Sequence, residues 1–380
     1  MDGGSSTIEG GALIGKGSFG CVFKPALKCP GDKVINDNIV SKVFYSQDSS
    51  KESLNEIKIN DMINKIKNHE YWSHIWFKKC KPPTYNDIYE QDKEIDDCLY
   101  EDAVWPNDFD KYRQMLQGNY AGESFSVNMK KDFKSSIIAN NSKFTTMFLK
   151  YMKLMKPLFV GLKEMYDNSI THNDIKEDNI MIDDDGCKYI DFGLACKFND
   201  KKTYKNRSKR EFLHERIYLP YPYEYIFLHV SPDLLKEEYK EIKNKIYRAN
   251  HHIYTTIHGN IFSRNVNEYL IQLIERLMKG SNSIRSSKEI NSLIDTYSLG
   301  MLIPFFLYKR CKVKRLKQII KLDKIKSFID LFKHMTEPDY NNRMKPGDIY
   351  SKYLELDKLY LSNNIAKTKG TKRTKRKKRK

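Results

Sequence analysis

The run His172-Asn173-Asp174-Ile175-Lys176-Glu177-Asp178-Asn179 sets a carboxylate and a side-chain amide five residues apart on a polar stretch, and Ile190-Asp191-Phe192-Gly193 comes shortly after. Between them, IMI (180–182) and KYI (188–190) read as short apolar strands around DDDG, an Asp-Gly hairpin signal. An antiparallel hairpin brings the residue before its first strand beside the residue after its second. Asn179 and Asp191 therefore converge as an amide oxygen and a carboxylate able to hold Mg²⁺, while Asp174 remains nearby as an unbound carboxylate. Far upstream, Gly15-Lys16-Gly17-Ser18-Phe19-Gly20-Cys21-Val22 has the form G-x-G-x-x-G-x-V, where missing side chains let backbone N–H groups approach phosphate oxygens. The residues after those glycines read as a strand, which suits a flap over phosphates better than a Rossmann turn into a helix.

These groups need a scaffold. From Gly10 the pattern predicts two short strands joined by the glycine turn, a loop through KCPGD, and a strand at IVSKVF (39–44). Residues 51–67 place Leu54, Ile57, Met62, Ile63 and Ile66 at helical spacing, so one helix comes after the small sheet. Residues 70–120, aromatic and interrupted by Pro82, Pro83 and Pro106, give no strand order. Beyond Ser124 helical periodicity dominates. Met147, Tyr151, Leu154, Leu158, Leu162 and Met165 predict one long helix bent at Pro157, and further helices are expected over 231–248 and 264–279.

With these residues in hand, the chain from Gly15 to about Arg343 resembles the eukaryotic-type protein kinase family. The resemblance implies an α+β, bilobal fold: a small antiparallel-sheet N-lobe with one main helix, over 10–121, and a larger, mainly helical C-lobe over 122–361. It implies an ATP site of Ile14, Gly15, Gly17, Gly20, Val22 and Lys42, with Glu56 as the ion-pair partner of Lys42 and Glu52, one turn away, as a competitor. Asp174 looks like the family's catalytic base and Lys176 like its companion near the transferred phosphoryl, with Asn179 and Asp191 as Mg²⁺ ligands. Tyr221-Pro222-Tyr223-Glu224 stands where the family has A-P-E, so Glu224 would pair with Arg343; Asp295 resembles the aspartate that braces the catalytic loop. Lys176 two residues after the catalytic Asp is the family's serine/threonine pattern, and the general style is similar to kinases of large cytoplasmic DNA viruses. The implied activity is transfer of the γ-phosphoryl of Mg-ATP to Ser/Thr hydroxyls of proteins. The competing readings are a pseudokinase scaffold and a small-molecule kinase. Three departures stand out: Asn173 replaces the usual Arg, an insertion occupies about 225–290, and the hinge, placed at 114–125, has an unusual approach. The stretch from Lys197 to Arg216 is strongly basic, which suits acidic or already phosphorylated substrates.

Composition sets the remaining bounds. With 40% hydrophobic residues in 380, the chain is too apolar to be disordered throughout. No apolar run reaches the ~18 residues of a membrane span and no signal peptide is evident, so the expected setting is intracellular and cytoplasmic, with nuclear or virion association as alternatives. Net charge is +18, but KTKGTKRTKRKKRK (367–380) carries ten of the basic residues. Without that tail the balance is 57 minus 49, or +8. Residues 1–9 and 362–380 are expected to be disordered, with the tail available to nucleic acid or another polyanion. The seven cysteines are scattered and read as reduced thiols.

Overall fold

The computed structural model describes residues 11–17, 20–32, 36–44, 47–91, 93, 114–213, 220–227, 233, 236–237, 251–279 and 287–362. The expectations for residues 1–9, for most of 231–248 and for the basic tail lie outside the described residues. The chain divides into two units: Met1–Gly122 with Lys188–Ala195, and Glu123–Cys187 with Cys196–Lys380. The α+β architecture expected from the sequence is present, with a small antiparallel sheet in the first unit and a mainly helical second unit.

In the first unit, β1 (Ala12–Lys16), β2 (Gly20–Lys24), β3 (Ile39–Phe44), β4 (Trp76–Cys80) and β5 (Met115–Asn119) form one antiparallel sheet in the order β1-β2-β3-β5-β4. The β1–β2 turn closes through the Gly17 N–H donating to the Gly20 carbonyl at 3.0 Å. Gly20 is required by close approach, because a Cβ there would lie 2.2 Å from the Val43 carbonyl oxygen of the neighbouring strand. In β3, Lys42 faces Val22 on one side and Leu116 on the other, so the lysine sits in the middle of the sheet. Helix α1 (Gln47–Ile63) begins and ends four residues before the expected 51–67, and the short helix α2 (Tyr85–Gln91) occupies part of the stretch without a sequence assignment. The sheet's hydrophobic cluster contains Cys21, Phe23, Leu27, Cys29, Val43, Ile88 and Met115.

The structure corrects the expectation of reduced thiols. Cys29 and Cys80 form a disulfide with their Cα atoms 5.8 Å apart, and Cys21 is also disulfide-bonded. Sequence spacing hides this pairing because the sheet brings together residues that are 51 apart in the chain. Cys187, Cys196 and Cys311 are free and buried.

In the second unit, β6 (Glu123–Ser124), β8 (Ile180–Asp183) and β9 (Gly186–Tyr189) form a small sheet, and β7 (Ile170–Thr171) pairs with β10 (Cys196–Lys197). The chain passes out of this unit within β9. The single bent helix expected around Pro157 is two helices, α3 (Asn141–Leu154) and α4 (Lys156–Asp167), with the proline in the first turn of the second. Proline is tolerated there because the first-turn N–H groups have no helical acceptor. The Asn140 side chain caps α3 by accepting from the Lys143 N–H at 3.0 Å. The remaining longer helices are α5 (Lys201–Leu213), α6 (Val266–Met278), α7 (Ile294–Arg310), α8 (Asp323–Met335) and α9 (Pro346–Leu356). The first three turns of α7 are buried continuously, so this helix is the unit's central post.

Candidate active site

The first unit gathers three of the candidate side chains around one ammonium group. Strand β3 holds Lys42 with 6% of its surface exposed, and its Nζ lies 3.2 Å from Glu56 Oε2 and 2.9 Å from Asp191 Oδ1. Burial alone would push the lysine pKa down, yet the charges of Asp191 and Glu56 outweigh it and hold the ammonium above its ordinary value. Glu56 is fully buried on α1, and that burial raises its pKa against the pull of Lys42. Trp76, in a stretch whose residue pattern shows no strand order, donates its indole N–H to Glu56 Oε1 at 2.6 Å. Of the two candidate glutamates, Glu56 takes the position. The Glu52 side chain lies outside the described residues.

Asp191 sits in the left-handed region at φ 61°, which aspartate tolerates through its short polar side chain. The next turn is held by α1: the Asn55 amide donates to the carbonyls of Gly193 (3.2 Å) and Ala195 (3.0 Å). The residue next to Glu56 thus ties the 192–195 turn to the same helix. Nothing in the sequence marks Asn55, because an asparagine in a helix is usually just a surface residue.

The glycine turn shows a division of labour. At Gly15 a Cβ would approach nothing closer than 4.0 Å, and at Gly17 nothing closer than 3.6 Å. Chain packing therefore explains Gly20 but not Gly15 or Gly17, where a Cβ would meet no close neighbour. Ile14 is 49% exposed and Val22 half-buried, while Ser18 and Phe19 lie outside the described residues.

In the second unit, β7 delivers the chain into the loop of His172 to Asn179. Buried Asp295, at the start of α7, accepts the His172 N–H at 2.6 Å through Oδ2 and the Asn173 N–H at 3.0 Å through Oδ1. Its burial raises the carboxyl pKa, opposed by His172 and these two backbone donors. The loop backbone is thereby fixed from below. Asn173 takes a left-handed conformation at φ 64°. Its Nδ2 lies 3.1 Å from Cys196 Sγ, and its carbonyl accepts from the Tyr221 hydroxyl at 2.6 Å.

On that base, Asp174 Oδ2 receives Lys176 Nζ at 2.9 Å and Asn179 Nδ2 at 2.7 Å, while Asn179 Nδ2 also reaches the Asp174 carbonyl at 3.0 Å. With its Nδ2 committed to Asp174, Asn179 keeps its Oδ1 as an acceptor. The β8–β9 hairpin closes on Asp183, whose Oδ1 accepts from the N–H groups of Asp185 (2.9 Å) and Gly186 (3.2 Å). Gly186 is at φ +132°, and a Cβ would meet the Leu154 carbonyl at 2.8 Å.

Glu224 and Arg343 pair as the resemblance implied, both with side chains fully shielded from solvent. Arg343 also donates Nε to the Glu337 carbonyl at 2.9 Å and Nη2 to the Pro338 carbonyl at 3.3 Å. Burial raises the Glu224 pKa, and the neighbouring guanidinium pulls it back.

The family model described as "Protein kinase domain" matches residues 126–358, and the one described as "Protein tyrosine and serine/threonine kinase" matches residues 8–215. The chain is similar to the CTD kinase subunit alpha of Saccharomyces cerevisiae, 47% identical over 55 residues that are 14% of this chain and 10% of the yeast protein. It is also similar to a protein of Acanthamoeba polyphaga mimivirus named as a putative serine/threonine-protein kinase, 28% identical over 208 residues that are 51% of this chain and 27% of the viral one. The matched stretches thus span far less than the full length of either relative.

Proposed function

Because the chain belongs to the protein kinase family, whose members use ATP and a divalent metal, we propose that it transfers the γ-phosphoryl group of Mg-ATP to serine or threonine hydroxyls of proteins. The observation that carries this reading is the carboxylate of Asp174, held at once by Lys176 and Asn179. In this reading Asp174 accepts the proton of the substrate hydroxyl as its oxygen bonds to phosphorus and the bond from phosphorus to the β-phosphate oxygen breaks. The Lys176 ammonium, already within hydrogen-bond reach of that carboxylate, offsets charge on the transferred group. Lys42 binds the nucleotide phosphates, oriented by Glu56, and the turn of Gly15, Gly17 and Gly20, with Ile14 and Val22 beside it, lies against them. Positioning and charge neutralisation then supply most of the rate.

The donor set fits Mg²⁺, a hard cation that binds through one or two carboxylates together with substrate phosphates and water. Asp191 offers a carboxylate whose side chain is 32% exposed, and Asn179 offers its Oδ1. An ion held by these two side chains would be shared with the nucleotide phosphates. When bound, it neutralises phosphate charge.

The test is transfer from radiolabelled ATP to a mixed protein and peptide panel, with identification of the phosphorylated amino acid. Asp174→Asn is expected to lower turnover by about 10²–10⁴-fold. Undiminished transfer by that variant, or label found on tyrosine, would refute the reading.

A further inference from the structure

Helix α5 carries ten residues, Lys201 to Arg210, without one acidic side chain. At 100° per residue, Lys201, Lys202, Lys205 and Lys209 fall within one arc of roughly a quarter-turn, and all four are exposed. The adjoining side is fastened down. Tyr204 is buried and donates its hydroxyl to Thr171 Oγ1 at 2.8 Å, and Ser208 is fully buried. The half-buried Arg207 lies within electrostatic reach of Tyr221, Cys196, Tyr225 and Tyr204. These anchors adjoin the small cluster of Cys196, Tyr204, Tyr221, Tyr225 and Ile294. Thr171 is three residues before Asp174, and Cys196 touches Asn173. The lysine stripe is therefore rigidly mounted beside the loop that bears Asp174.

A second observation concerns the carboxylate next to Lys176. Glu177 is paired at 2.6 Å with Lys309, and that ammonium also stands 4.0 Å over the Phe305 ring. The Glu177 carboxylate is thus already neutralised from within the chain. Positive groups are offered to the substrate and a nearby negative one is withdrawn.

We propose that the Lys201, Lys202, Lys205 and Lys209 face of α5 is a substrate-docking surface that selects anionic peptide segments around the phosphorylated hydroxyl. The proposal rests on the kinase reading above and specifies its substrate class. The occupant is a run of Asp and Glu carboxylates: four separate ammonium groups spread along a helix face meet several dispersed single charges, whereas a phosphoserine is gripped best by forked guanidinium groups. Long-range attraction between such a segment and four converging ammonium groups raises encounter and binding, and added salt weakens both.

The experiment measures both binding and transfer on one serine peptide made in four forms: neutral, flanked by Glu, flanked by phosphoserine, and flanked by Lys. Binding is read by fluorescence anisotropy and transfer as kcat/KM. The wild-type chain is expected to favour the anionic forms over the neutral one by about tenfold in both readouts, a sum of several exposed pairs. Lys201→Ala combined with Lys202→Ala, Lys205→Ala and Lys209→Ala should collapse that ratio toward one, and the corresponding Lys→Glu set should turn it in favour of the Lys-flanked peptide. A Glu preference without a phosphoserine preference upholds the proposal, and a phosphoserine preference without a Glu preference would overturn it. Anionic binding without any transfer would uphold the surface and refute the kinase reading. Equal handling of all four peptides, a preference for the Lys-flanked form, an anionic preference that survives the alanine set, or a stripe that binds duplex DNA with no peptide selectivity would overturn the proposal.

Discussion

Lowering the pH from 7 to 5 should destabilise the second unit through one side chain, His258. Its ring is fully buried, stacked on Tyr254 at 5.6 Å and on Tyr297 at 6.4 Å, with Nε2 3.1 Å from the Tyr297 hydroxyl. Burial first, then the nearby charges of Arg264 and Arg343, lower its pKa from 6.5 to about 3. The folded chain therefore stays unprotonated at this site over a range where the unfolded chain takes up a proton. With the folded pKa depressed, the contribution to stability is complete above pH 6.5 and is lost progressively as the pH falls toward 3. Between pH 7 and 5 the loss amounts to about 2 kcal/mol, and the full shift is worth roughly 5 kcal/mol. The raised carboxyls of Glu56, Glu224 and Asp295 act in the opposite direction, so the quantity to measure is a difference. Urea unfolding of the wild type and of His258→Gln, which keeps a polar tip toward Tyr297 but does not titrate, should diverge in pH slope by that amount. Identical slopes for the two proteins from pH 7 to 5 would show that His258 is protonated in the fold and would refute the reasoning.

Arg343→Met should cost about 3–5 kcal/mol in denaturant unfolding, since it strands Glu224 as a buried carboxylate and leaves the Glu337 and Pro338 carbonyls without their donor. A loss below about 1 kcal/mol would mean that water reaches the pair. Asp191→Ala and Lys42→Met should each reduce phosphoryl transfer by about 10²–10³-fold, measured as kcat/KM with saturating Mg²⁺, and a silent Lys42→Met would remove Lys42 from the nucleotide site.

Much of the site is legible in the sequence because short motifs fix local geometry. The Asp-Gly turn predicts the β8–β9 hairpin, and IVSKVF predicts the strand that carries Lys42 at the same bounds. Glu56 is legible only through the family resemblance, which leaves Glu52, one turn away on the same helix, as a competitor. The partners are hidden. Trp76 reaches Glu56 from a strand whose neighbours in the sheet are far away in sequence, and no local pattern reports such pairing. Asn55 and Arg207 look like surface residues because polar side chains in helices usually are. Pro157 reads as a bend within one helix, while the structure uses its fixed φ to begin a new one. The cysteines mislead for the same reason as Trp76, since pairing depends on sheet order.

The Cys29–Cys80 bond turns a stretch of sequence into a covalent ring, and Lys42, Glu56 and Trp76 all lie on that ring. The buried ammonium, its partner Glu56 and the indole that holds Glu56 are therefore beads on one closed loop, while Asp191 is contributed from outside it. A single backbone cut anywhere between the two cysteines would leave the protein one molecule, running at full length until a reductant opened the bond and released two fragments. In the unfolded chain the same closure removes the freedom of a 51-residue separation, worth about 4 kcal/mol in the loop-entropy picture. The integrity of the lysine cluster is thus written partly into the connectivity of the chain, and a reducing environment would loosen it without touching any residue that meets the nucleotide.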